Sequence, residues 1–172
     1  MVAAAFVGLS AAASVPAAGD TAGNTATGGR ERHPAVAVAA VGDTILGNTP
    51  TLPESPRRYL DAVRRALTHD ADVVFANLEG TLTDETHSKC GSGSSNCYAF
   101  RNPPSYGDVF ADLGFTALST ANNHSHDFGS AGYQETRAVI DRNGMTGSGA
   151  PGEVRYFRTH TPAGSVRFAL VA

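Results

Sequence analysis

FTALSTANNHSHDFG, residues 115–129, joins an apolar run to a cluster of amide, imidazole and carboxylate side chains. It opens as a short strand, 115–120, and runs directly into Ala121-Asn122-Asn123-His124, with Asp127 close behind. An apolar run that stops abruptly at amide, imidazole and carboxylate side chains has the form of a buried strand whose carboxyl end opens on a ligand site. Two earlier segments repeat the pattern: AVAVAAV (35–41) ends at Gly42-Asp43, and DVVFANL (72–78) ends at Glu79-Gly80.

Between these strands the apolar period changes from that of a strand to that of a helix. Ser55 and Pro56 have the character of an N-cap and first helical residue ahead of Tyr59, Leu60, Val63, Ala66 and Leu67. A second helix is expected over about 105–113, stopped by Gly114, and a third from Ser130 through Val139 and Ile140 to Asn143-Gly144. Two strands then follow at about 154–160 and 166–171, joined at Pro162-Ala163-Gly164. The order β-α-β-α-β-α with a closing hairpin predicts an α/β fold with a mainly parallel sheet and right-handed crossovers.

The 172 residues suit one domain or part of a larger one, and 41% hydrophobic content is enough for a core. A formal charge of -3, with positive charge scattered and no run longer than two, argues against a nucleic-acid surface. Residues 1–18 carry no charge and end near Val15-Pro16-Ala17-Ala18, resembling the cleavage region of a secretory leader without its basic start. Export is the reading adopted, over an Ala-rich tail; membrane association would come through a trimmed or missing N-terminus. Residues 19–34 read as a Gly-rich polar linker. In an exported chain Cys90 and Cys97 would close CGSGSSNC with a disulfide. A zinc site using His87 lacks a fourth ligand and paired CxxC spacing.

In a parallel sheet the three polar strand ends fall on one edge. Asp43, Glu79 and an amide oxygen there make a hard donor set suited to Mg, Mn, Fe or Zn, and His124 could protonate a leaving oxygen. Any one of these clusters alone is ordinary turn chemistry; three at equivalent positions are more than that. Residues 42–49 also have P-loop spacing, but Asn48 stands where the lysine belongs and prolines interrupt the helix that should follow. His126 is either an extra ligand or a solvated loop residue, and Arg101, Asn102 and Tyr106 could line a cleft.

With AVGDTILG (40–47), ADVVFANLEGTLTD (71–84) and FTALSTANNHSHDFG (115–129), the chain resembles the CapA family of capsule and poly-γ-glutamate synthesis proteins, in the calcineurin-like metallophosphoesterase superfamily. The resemblance covers about residues 35–172. It implies the N-terminal half of an α/β/β/α sandwich, with Asp43, Glu79 and Asn123 as ligands of a two-metal site. It also implies His124 as the acid or phosphoryl-oxygen donor and Asp127 as the residue orienting it. The implied partners are an envelope polymer or phosphoester substrate and poly-γ-glutamate synthase subunits, at the cell envelope. Ile45 occupies the position of the superfamily's first histidine, as is usual for CapA-like proteins, and His160 matches none of the later ones. The apolar close SVRFALVA suggests a domain that continues beyond Ala172, and the alternatives are a non-catalytic polymer-binding or synthase-partner role or an inactive fragment.

Overall fold

A computed structural model describes residues 15–16, 35–91, 95–161 and 164–172. The expected leader (1–18) and linker (19–34) lie outside the described residues except for β1 (Val15–Pro16), which pairs antiparallel with β2 (Ala35–Val36). The centre is a four-stranded parallel sheet of β3 (Val38–Thr44), β4 (Val73–Leu78), β7 (Ala117–Ser119) and β8 (Thr146–Ser148), in that spatial order. Helix α1 (Pro56–Thr68) links β3 to β4, and α3 (Gly129–Arg142) links β7 to β8. Between β4 and β7 come β5 (Thr81–Leu82), β6 (Arg101–Asn102) and α2 (Tyr106–Asp112), with β5 and β6 paired in parallel.

Strand order follows chain order, so the crossovers all step the same way, and crossovers of one hand leave their helices on the same face. Leu60, Leu67, Val109, Phe110, Val139 and Ile140 from the three helices accordingly share one core with Val74, Ala76, Leu78 and Leu118 from the strands. Each fully buried side chain of this size contributes about 2 kcal/mol of apolar transfer energy. The opposite sheet face carries Val73, Phe75 and Ala117 and is covered by the hairpin of β9 (Val154–Thr161) and β10 (Gly164–Val171). Phe157, Phe168 and Leu170 point inward from that hairpin. The layer order is therefore helices, parallel sheet, antiparallel hairpin: the α/β/β part of the expected sandwich. Pro162 and Ala163 of the expected turn lie outside the described residues.

The helices begin and end largely where the sequence suggests. Ser55 is the N-cap of α1 with Pro56 following, and Gly114 and Gly144 take positive φ after α2 and α3. Helix α3 starts at Gly129, so Ser130 lies inside the first turn and Phe128 is the N-cap. No helix among the described residues is long and apolar enough to cross a membrane.

One irregularity in β3 positions the site. Ala40 pairs with Phe75 and Asp43 with Asn77, so β3 uses three residues where β4 uses two. An extra residue in one strand reverses the face of everything after it. Without this bulge, Asp43 would project into the helical core beside Leu78. With it, Asp43 joins Asn77 and Ser119 in one cross-strand row on the hairpin side.

Candidate metal and acid–base site

The site lies at the carboxyl ends of β3, β4 and β7. Asn77, in the last turn of pleat of β4, is its hub: the Nδ2 group donates to Asp43 Oδ1 at 2.7 Å and to Glu79 Oε2 at 2.8 Å. Alternation along the extended chain puts Asn77 and Glu79, two residues apart, on the same side. The Glu79 backbone N–H donates to the Thr44 carbonyl, carrying the β3–β4 ladder one residue past the strand. At Gly80, with φ +116, a Cβ would stand 2.8 Å from the Phe100 Cβ, so no larger residue fits this turn.

Asn122, the first amide after β7, completes the junction. Its Nδ2 donates to Asn77 Oδ1 at 3.0 Å and to the Leu78 carbonyl at 2.8 Å, while its Oδ1 accepts the His124 backbone N–H. Three strand ends are thus tied through two asparagines. Asn123 is exposed, and its carbonyl accepts from the Lys89 ammonium at 3.1 Å. Of the adjacent amides, it is Asn122 whose side chain enters the network.

His124 and Asp127 form a close pair inside the turn that follows. Asp127 is fully buried, and its Oδ2 accepts from His124 Nδ1 at 2.8 Å and from the Phe100 backbone N–H at 2.6 Å. A carboxylate acceptor keeps the proton on Nδ1 and leaves Nε2 as the free nitrogen. That Nε2 lies 3.6 Å from Glu79 Oε1, so the imidazole faces the acidic cluster. The Phe100 ring packs on His124 with centroids 4.3 Å apart and limits its rotation. The other Asp127 oxygen sits 2.5 Å from Lys89 Nζ, an ion pair outside hydrogen-bond angles. Cys90 and Cys97 are joined by a disulfide, with Cα atoms 5.5 Å apart, at the mouth of this site.

The remaining candidates have other partners. His126 stacks on Tyr133 at 4.4 Å and contacts Ser125 Oγ, not Asp43 or Glu79. Arg101 donates to the Asp84 and Glu85 carbonyls and covers Phe128, Asn102 is buried on the Gly47 carbonyl, and Tyr106 is core. Asn48, from the P-loop-like stretch, pins that loop to Ala99 and Arg101. Lys89 and Phe100 escaped the sequence reading; the only available signal was that the single lysine adjoins Cys90.

Asp43 and Glu79 hold carboxylate oxygens no more than about 5.5 Å apart around one amide nitrogen. Two like charges converging on one point, with an imidazole nitrogen alongside, match in chemistry the oxygen and imidazole ligands of a divalent cation. In number they fall short: among the described residues no group of three or more His, Cys, Asp and Glu converges to hold a metal.

Residues 37–170 match the family described as bacterial capsule synthesis protein PGA_cap. The chain belongs to this family. Two relatives from Sinorhizobium fredii (strain NBRC 101917 / NGR234), the uncharacterized proteins y4sH and y4uA, are each 32% identical over 120 residues. That stretch is 69% of this chain and 25% of each relative, so the chain spans about a quarter of their length. The PGA_cap match begins just before β3 and ends in β10, enclosing every element that builds the site.

Proposed function

We propose that this PGA_cap domain carries a metallophosphoesterase-type site for breaking or transferring a phosphoester or related bond during assembly of an envelope polymer. The observation that carries the reading is the junction of Asp43, Asn77, Glu79 and Asn122 facing the His124–Asp127 pair. Asp43 and Glu79 would hold a divalent cation (Mn, Fe, Mg or Zn), with the side-chain oxygen of Asn123 as the further ligand. A cation held there would supply water activation and charge neutralisation at phosphorus. His124, its Nδ1 proton held by Asp127, is set to pass a proton from Nε2 to a leaving oxygen once charged, or to hold the phosphoryl oxygen. Phe100 keeps that ring in one plane, and Asn77 keeps the two carboxylates together before the cation arrives.

The cell envelope is the proposed location, with an exported polymer as substrate and poly-γ-glutamate synthase subunits as partners. A second reading, a non-catalytic protein that binds polymer or synthase at the same edge, draws on the missing third acidic or imidazole donor among the described residues. Hydrolysis of a generic phosphodiester with added Mn(II) separates the two. The catalytic reading expects Asp43→Asn and His124→Ala each to lower turnover at least a hundredfold in folded protein. Absence of turnover in folded wild type, together with polymer binding that survives His124→Ala, would favour the second.

A further inference from the structure

We infer that Lys89, held at the site by the Cys90–Cys97 loop, is a positioning residue for His124, acting through the buried Asp127 carboxylate. This rests on the proposal that His124 is the working imidazole. Asp127 is fully buried and meets three groups: His124 Nδ1 and the Phe100 N–H on Oδ2, and the Lys89 ammonium on Oδ1. The two bonds on Oδ2 would survive a pivot of the carboxylate; the cation on Oδ1 removes that freedom and compensates a charge that has no solvent. Lys89 also grips the segment carrying His124 at both ends. Its backbone N–H donates to the Asp127 carbonyl at 2.7 Å, and its Nζ donates to the Asn123 carbonyl at 3.1 Å.

The disulfide makes this grip part of one unit. Lys89 immediately precedes Cys90, and Phe100 lies three residues beyond Cys97. The two flanks of a single staple therefore supply the cation on Oδ1, the N–H on Oδ2 and the ring packed on the imidazole. A lysine that merely tied down its own loop would need neither the buried carboxylate nor the turn that presents His124.

The test reads the ring and not turnover, so a chain without hydrolytic activity leaves it intact and only the phosphodiester assay decides the parent proposal. In the 15N-labelled full chain at pH 8, where a free imidazole is neutral, long-range proton–nitrogen spectra report the His124 Nδ1–H, assigned by its loss in His124→Gln. The wild type is expected to show one slowly exchanging Nδ1–H. In Lys89→Met its exchange should quicken at least tenfold, in Lys89→Arg it should stay within threefold of wild type, and in Cys90→Ser/Cys97→Ser it should fall between. Wild-type exchange in folded Lys89→Met overturns the inference, as does equal loss in folded Lys89→Arg. If Lys89→Met does not fold, Lys89→Gln replaces it: at least tenfold faster exchange supports the inference and wild-type exchange overturns it.

Discussion

Replacing Asn77 by Ala is expected to cost about 3.5 kcal/mol of folding stability, more than a half-buried polar side chain ordinarily contributes. Its amide makes three hydrogen bonds within the junction, two of them to carboxylates. A bond to a charged group is worth about 1.5–3 kcal/mol, but Asp43 is exposed and water replaces much of that one. Taking about 0.5 kcal/mol for Asp43 and about 1 each for Glu79 and Asn122 gives about 2.5 kcal/mol. The two carboxylates, no longer bridged, add about 1 kcal/mol of repulsion at this separation in a largely aqueous dielectric. Urea unfolding at pH 7 without divalent ions, in wild type, Asn77→Ala, Glu79→Gln and the double variant, measures the total and the coupling. The double variant should be less destabilised than the sum of the singles by at least about 1 kcal/mol. A loss below about 0.5 kcal/mol, or additivity, would mean that the amide does not bridge the acids.

Two further outcomes follow from the same geometry. Gly80→Ala forces a residue with φ +116 against the Phe100 backbone and Cβ, and should destabilise by about 2–3 kcal/mol in thermal unfolding while displacing the ring packed on His124. Glu153 accepts two hydrogen bonds from Arg137, which hold its carboxyl down at about 2 with help from the Gly149 and Ala150 N–H groups. A depressed carboxyl stabilises the fold above its unfolded value of 4.5 and loses that contribution as pH falls through about 2. Glu153→Gln should therefore cost about 2 kcal/mol at pH 7 and progressively less from pH 4.5 downward, read by denaturant titration across pH.

Most of the fold was legible because its signals are local. Strand ends at Asp43, Asn77-Glu79 and Asn122-Asn123-His124 announced a common edge, and the helical spacing of Leu60, Val63 and Leu67 announced a buried face. Strand β8 was not legible: Thr146-Gly147-Ser148 has no apolar pattern, and Gly147 is there because a Cβ would press within 3.1 Å of Ile140. The β3 bulge was equally hidden, since one inserted residue in an Ala/Val run leaves no periodic trace, yet it decides which face Asp43 joins. At the site, sequence could bring the right segments together but not choose between Asn122 and Asn123. That choice is made by the geometry of the turn, which presents Asn122 to Asn77 and leaves Asn123 exposed. Lys89 lies 38 residues from Asp127 along the chain, and only the folded loop brings them into contact.

Calorimetric titration of the folded chain with Mn(II) asks whether the acids gathered on Asn77 form the proposed cation site facing His124. Saturable binding of one ion is expected, weakened at least tenfold in both Asp43→Asn and Glu79→Gln and little changed in Asp84→Asn outside the cluster. Folded wild type that binds no ion, or binding that both site variants leave intact, would contradict it.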